Sequence, residues 1–364
     1  MADETKQSRT TWIAVLVAAA VVLAGGPYLY FRNRDEPKPE RRASSAAASA
    51  ARSAEPVVAR RDVTDLSADQ KSAFIAAVRK LQTTPDPGNP KRSWYEQFVT
   101  WHRNGAKCSV AHGTSGAIHN SPLFLPWHRE LLLKFEAALQ TVSGDPTMRI
   151  PYWDFNDPAS SAAVFTADFM GGMGDSTQAG AVTTGAFAKG KYELRVFDPP
   201  TIHLGGTTPY LTRAVGAPPV LDPAATTEAM TAPNFDTAPF DATSDHRMSF
   251  RQAMEGWRPT FAQPDCTDGW QGLLEMLGGV PEMHVLVHGV VGGASQSQSS
   301  PNDPVFWLLH ANIDRLWAQW QGSHPQRFPV RAAGWTPKST MWPWFDQPVA
   351  HFDDTRTLGY RYAS

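Results

Sequence analysis

Apolar residues recur at helical spacing in a short segment that begins near residue 94. Tyr95, Phe98, Val99 and His102 fall on one face of the predicted helix, and Gly105 follows as a natural stop. Because the rest of this face is apolar, we expect it to point into the core. The pattern therefore predicts a buried histidine on a core helix.

Two further segments, 122–129 and 301–317, each predict a helix that opens with a proline near its first turn. Each sets one histidine just inside the helix among large apolar side chains, His128 in the first and His310 in the second. The prolines of the first segment forbid a helix that runs on from His119 to His128. His119 is therefore expected on a loop.

Another pair of histidines lies upstream of His310. His284 and His288 are four residues apart, which stacks them on one helical face and lets both rings reach a single ion. Pro281 is expected to start this helix, and Gly289 is expected to help end it. His310 then completes a group of three.

A lone histidine among apolar neighbours is more often a core residue than a metal ligand. Here the arrangement occurs twice with further histidines upstream, which favours ligands in two groups of three. Neutral imidazole suits copper, whereas magnesium, calcium and manganese prefer oxygen ligands. The candidate ligands are His102, His119, His128, His284, His288 and His310. The other histidines have no partner at ligand spacing and are not expected to bind metal: His112, His203, His246, His324 and His351.

The two proline-led histidine helices resemble those of the tyrosinase family of type-3 (binuclear) copper oxidases, which includes catechol oxidases and is related to haemocyanins. The resemblance covers roughly residues 60 to 362. It implies a mainly α-helical fold in which a four-helix bundle holds a binuclear copper site, with long loop excursions. It also implies two copper ions as cofactors. The first would be bound by His102, His119 and His128, and the second by His284, His288 and His310.

The resemblance further implies an enzyme that uses O2 to oxidise o-diphenols (catechols) to o-quinones. The expected partners are a phenolic small-molecule substrate and O2. An o-aminophenol oxidase and a haemocyanin-like oxygen-binding protein stay open as alternatives.

Residues near the ligands refine this expectation by resemblance. Glu275 lies nine residues before His284, where similar family members place a carboxylate that holds a water near the coppers, so it is the candidate catalytic residue. An exposed helix glutamate is the alternative. Many members that hydroxylate monophenols have an asparagine directly after the first histidine of the second copper site. This chain has Val285, which cannot relay a proton, and monophenol hydroxylation is therefore in doubt. Gly289 would leave the mouth of the site open, and Phe306 would pack against an imidazole of the second group.

The first 59 residues are a different kind of sequence. Residues 10–31 carry no charge, are dominated by alanine, valine and leucine, and are long enough to cross about 30 Å of hydrocarbon as a helix. A cleaved signal peptide is the alternative, although the run ends without a small-residue cleavage site. The predicted organisation is an N-terminal tail (1–9), a transmembrane anchor or uncleaved signal (10–31), a flexible linker (32–59) and a copper-binding catalytic domain (60–364).

This anchor predicts a membrane-bound protein with an extracytoplasmic catalytic domain, because a single N-terminal apolar segment commonly acts as an export signal. Basic residues flank the segment on both sides, and those after it favour the opposite orientation. Cys108 and Cys266 could form a disulfide after export or remain thiols. The family adds a third alternative for Cys108, a thioether to a copper-site histidine.

Composition excludes one class of partner. The formal net charge is -2, with 33 Lys+Arg against 35 Asp+Glu, so no basic excess indicates nucleic-acid binding. The chain closes shortly after Tyr360 and Tyr362, which resemble the tyrosine motif at the end of the family's catalytic domain, and Arg60 matches its basic partner. If the activity is restrained, we expect another chain or the flexible linker to shield the site, and a separate chain is also the expected partner for copper loading.

Overall fold

The computed structural model describes residues 58–106, 118–197, 208–258, 280–281, 283–324, 328 and 335–363. Its α-helices are α1 (Ala68–Thr83), α2 (Trp94–Ala106), α3 (Phe124–Ser143), α4 (Pro158–Val164), α5 (Pro223–Met230), α6 (Phe250–Glu255), α7 (Met283–Val291) and α8 (Val305–Ser323). Its strands are β1 (Val58–Arg60), β2 (Pro85–Asp86), β3 (Asn89–Ser93), β4 (Trp257–Arg258), β5 (Val280–Pro281) and β6 (Tyr360–Tyr362).

Local signals in the sequence explain several helix ends. Helix α1 begins with a capping box, in which the Ser67 hydroxyl accepts from the Gln70 backbone and the Gln70 side chain accepts from the Ser67 backbone. Helices α3 and α6 end where Gly144 and Gly256 adopt a left-handed conformation, with φ of 74° and 75°. These helices therefore stop where a glycine removes the steric cost of a positive φ.

Aromatic side chains lock α2, α3 and α8 together. The rings of Phe135 and Trp307 stack with centroids 3.5 Å apart, and Phe98 meets both rings edge-on at 5.2 and 5.7 Å. The Trp307 indole N–H donates to the Tyr95 hydroxyl at 3.1 Å. The mainly α-helical prediction is confirmed, with a helical bundle around the histidines and long loops in the described ranges 165–197 and 208–222.

A buried charge network joins the two ends of the described chain. Strand β1 pairs in parallel with β6, and the Arg60 guanidinium donates to the Tyr362 hydroxyl at 3.1 Å. Arg60 also contacts Glu136 of α3 at 3.0 Å and Asp314 of α8 at 3.2 Å. The first and last strands are therefore fixed to the helices of the bundle.

Three predicted helix boundaries differ from the structure. Helix α2 ends at Ala106, one residue after the predicted stop at Gly105, and a Cβ at position 105 would lie 2.8 Å from Ile118. Helix α7 continues past Gly289 and ends before Gly292, whose φ is 70°. Pro281 belongs to β5 and precedes α7 rather than starting it.

The predicted placement at a membrane needs correction. None of the helices in the described ranges combines the length and apolar character that a membrane crossing requires. The longest, α3, has 20 residues but includes the charged residues Arg129, Glu130 and Lys134. The prediction of a membrane-anchored, extracytoplasmic protein is thus contradicted. Residues 10–31, on which it rested, lie outside the described ranges.

Candidate metal centre

The six candidate histidines lie together in two groups of three. In each group, one ring nitrogen from every histidine lies within 4.8 Å of the others. Helices α2, α3, α7 and α8 supply five of these side chains, and His119 comes from the loop before α3, as its position before two prolines predicts. The groups are His102, His119 and His128, and His284, His288 and His310.

Backbone carbonyls fix the orientation of three rings. The Nδ1 atoms of His102, His128 and His288 each lie 2.7 Å from a carbonyl oxygen, of Gln298, Phe124 and Ser295 respectively. A neutral imidazole whose Nδ1–H donates to a carbonyl keeps the lone pair on Nε2. The opposite nitrogen of each ring is therefore left to face the centre.

The ring nitrogens that face the centre are placed where a metal ion could bind them. The buried Nε2 atoms of His102, His128 and His284 have no hydrogen-bond partner within the described part of the chain. In the second group, the Nε2 atoms of His288 and His310 face each other at 3.3 Å. Converging imidazole nitrogens of this kind form a ligand set for copper.

Burial keeps these rings neutral. It lowers the pKa of His102 to about 3 and that of His288 to about 4, against the hydrogen bonds to the Gln298 and Ser295 carbonyls, which raise it. The pKa values of the other four rings are also well below the ordinary value for histidine. Burial is again the largest cause, and neighbouring histidines come next. All six rings are thus ready to bind a metal ion without losing a proton.

Two phenylalanines pack the rings into place. The centroid of the Phe306 ring lies 4.1 Å from that of His310 and 5.0 Å from that of His102, so Phe306 contacts both groups. The Phe124 ring lies 4.9 Å from His128 and 4.8 Å from His284. Apolar rings from α3 and α8 therefore cover part of the centre.

A small cavity of about 10 Å³ lies beside the two groups. It is lined by His119, His284 and the polar segment 295–298. Gly289 lies next to this segment, and a Cβ there would be 4.0 Å from the Gln296 amide nitrogen. Val285, directly after His284, is 7% exposed.

Similarity to known proteins agrees with this geometry. Residues 92–323 match the family described as the common central domain of tyrosinase. The chain is also 37% identical over 305 residues to a tyrosinase of Streptomyces lincolnensis, which covers 81% of this chain and 95% of that protein. The chain belongs to the tyrosinase family. It is a copper-dependent oxidoreductase that acts on phenolic compounds, and its cofactor is a type-3 pair of copper ions.

One more relative and one solved structure extend the comparison. A tyrosinase of Streptomyces antibioticus is 37% identical over 306 residues, which is 82% of this chain and 97% of that protein. The solved structure of a polyphenol oxidase variant from Thermothelomyces thermophila is 22% identical, with a TM-score of 0.53, and covers 88% of this chain and 84% of that one. At this identity the second likeness shows a shared fold.

Several predicted residues lie outside the described part of this tyrosinase-family chain. Glu275, the candidate catalytic carboxylate, belongs to this group, and so do Cys108 and Cys266. The carbonyls of Ser295 and Gln298 hold one histidine from each group and were not predicted. Every residue type carries a backbone carbonyl, so the sequence offers no signal for them.

Proposed function

We propose that this protein is a catechol oxidase whose six histidines hold the two copper ions. His102, His119 and His128 would hold the first ion, and His284, His288 and His310 the second. The observation that carries this proposal is the convergence of the two groups, each with its nitrogens within 4.8 Å. The imidazole chemistry of the donors and their burial support copper rather than a hard cation.

The surrounding residues would keep the ligands in position. The carbonyls of Gln298 and Ser295 hold the rings of His102 and His288 from behind. Phe306 packs against rings of both groups. When bound, the copper pair supplies the electron transfer from diphenol to O2. Two o-diphenols each give up two electrons and two protons, and one O2 is reduced to two waters.

The substrate preference is proposed from the residues beside the second group. Gly289 adds no side chain beside the polar segment 295–298, so we propose that an aromatic substrate approaches the second group from this side. Val285 is apolar and cannot take a proton from a phenol. An o-diphenol needs no added oxygen atom, whereas a monophenol must first be hydroxylated. We therefore propose that diphenols are oxidised much faster than monophenols.

One experiment tests both halves of this proposal. The full chain is loaded with copper, the metal content per folded chain is measured, and O2 uptake is followed with a monophenol, an o-diphenol and an o-aminophenol side by side. We expect two coppers per chain and the highest rate with the o-diphenol.

Different failures have different meanings. One copper or none in a folded, loaded chain would contradict the ligand assignment. Two coppers with reversible O2 binding but no turnover of any substrate would indicate an oxygen carrier. Faster oxidation of the o-aminophenol would replace the proposed substrate class, and equal rates with the monophenol would refute the role given to Val285.

A further inference from the structure

A buried carboxylate reaches the loop that carries His119. Glu255, the last residue of α6, is 2% exposed, and its Oε1 accepts a hydrogen bond from the backbone N–H of Asn120. Asn120 directly follows His119, although Glu255 lies 135 residues further along the chain. The contact therefore joins α6 to the loop at the position next to a candidate copper ligand.

This loop needs an external support more than the other ligand segments do. The other five candidate ligands have their backbones fixed by the hydrogen bonds of α2, α3, α7 and α8. His119 lies outside these helices, and the next residue, Asn120, adopts a left-handed conformation with φ of 52°. Asparagine adopts this conformation more readily than most residues, and because the turn lies outside the helices, contacts from elsewhere in the fold fix its position.

Helix α6 is itself held rigidly. Arg251, with no exposed surface, pairs with Asp236 through two contacts of 2.9 and 3.0 Å and with Glu255 at 3.2 Å. At the start of α6, the Phe250 ring stacks on Trp320 of α8 with centroids 4.7 Å apart. Because α8 also carries His310, α6 connects the His119 loop to the helix of a ligand in the other group.

We propose that Glu255 is a positioning residue that holds the His119 loop in the shape required by the first copper ion. This inference rests on the proposed ligand set. Removing the carboxylate leaves the Asn120 N–H without its acceptor and removes one of the two acidic partners of Arg251. The loop is then free to move His119 away from the other two rings. Loss of such a supporting contact typically weakens metal binding roughly 10- to 100-fold.

The test compares Glu255→Ala and Glu255→Gln in the full chain. Copper per chain is measured after dialysis against a graded series of chelator concentrations, and the EPR spectrum of the oxidised protein is recorded. We expect Glu255→Ala to lose one copper at roughly 10- to 100-fold lower chelator concentration than wild type and to show the signal of an isolated Cu²⁺. Glu255→Gln keeps an oxygen acceptor for Asn120 and should recover part of the retention.

Asp236→Asn is the matched control. Asp236 pairs with the same buried arginine, but within the described part of the chain its hydrogen bonds and ion pair lie inside 236–251 and do not reach Asn120. Thermal unfolding of the copper-free proteins measures the general stability loss of each variant. We expect Asp236→Asn to retain both coppers at a stability loss similar to that of Glu255→Gln.

Two results would overturn the inference. Glu255→Ala and Glu255→Gln could keep both coppers as wild type does, or Asp236→Asn could lose copper as readily at equal stability, which would mean a general structural role. If Glu255→Ala does not fold, Glu255→Gln against Asp236→Asn decides in the same way. A wild-type chain that binds fewer than two coppers would instead contradict the proposed ligand set.

Discussion

Replacing Asp314 with asparagine should remove the charge at the centre of the network that joins the two ends of the domain. The Asp314 carboxylate lies between Arg60 and Arg129, and it accepts hydrogen bonds from the hydroxyls of Tyr360 and Tyr362. Both guanidinium groups are fully buried. Asparagine has nearly the same shape, so Asp314→Asn changes charge with little change in volume.

The expected loss is large because both arginines stay buried. Breaking one buried ion pair by removing a partner typically costs about 3–5 kcal/mol of unfolding free energy. Glu136 still faces Arg60 at 3.0 Å, and the face of Trp317 lies 3.6 Å from the Arg129 guanidinium carbon, so part of the charge stays compensated. We therefore expect a loss of about 3 kcal/mol, which lowers Tm by about 5 °C.

The pH dependence of this loss has a definite sign. Burial alone would raise the pKa of Asp314, but Arg129 and Arg60 outweigh it and hold that pKa below its ordinary value of 3.8. A carboxylate with a depressed folded pKa contributes stability above its unfolded pKa, and the contribution is lost as the pH falls through the folded value. The difference in unfolding free energy between wild type and Asp314→Asn that comes from the Asp314 charge should be constant above about pH 5. It should become smaller below about pH 4.

Denaturant unfolding of the copper-free proteins, with chelator present, measures this gap without a contribution from metal binding. The exposed residue Asp346 offers a control, because Asp346→Asn removes one charge from the surface. We expect the control to change stability by less than about 0.5 kcal/mol. A loss of less than about 1 kcal/mol for Asp314→Asn, as for a surface pair, would refute the reasoning.

Three further predictions concern the metal centre. His310→Ala should leave one copper per chain and almost no catechol oxidation, as measured by metal analysis and O2 uptake. A variant that keeps both coppers would contradict the ligand assignment. Val285→Asn should raise the monophenol rate relative to the diphenol rate, whereas Val285→Ala, which adds no proton acceptor, should leave the ratio unchanged. Gly105→Ala should destabilise the copper-free protein by about 1–3 kcal/mol, because the new methyl would lie 2.8 Å from Ile118. Trimming that side chain by Ile118→Val in the same protein should restore part of the loss.

Much of the bundle could be predicted from the sequence because its signals are local. The spacing of Tyr95, Phe98 and His102 marks one buried face, and the four-residue step from His284 to His288 brings those rings within 4.6 Å of each other. Two prolines before His128 correctly assign His119 to a loop. These features depend on neighbours within one or two turns, which a pattern along the chain contains.

The close packing at Gly105 could not be predicted, because it involves a distant neighbour. Gly105 lies one residue before the end of α2, and Ile118, which approaches from the loop before α3, would lie 2.8 Å from a Cβ at this position. The meaning of such a glycine depends on a chain segment that only the fold brings near. The Glu255 contact with Asn120 is hidden for the same reason, because no spacing rule relates residues 135 positions apart.

The segment after α7 positions two histidines through backbone atoms, and one glycine in its sequence is required for this. Its carbonyls at Ser295 and Gln298 hold His288 and His102, yet other side chains at these positions would offer the same oxygens. The segment does require a particular backbone path. Gly293 has φ of 54°, and a Cβ there would lie 2.2 Å from the Thr212 carbonyl oxygen. The sequence therefore reflects this arrangement at Gly293, where only a glycine fits the backbone path. The carbonyl groups that contact the histidines place no such requirement on the sequence.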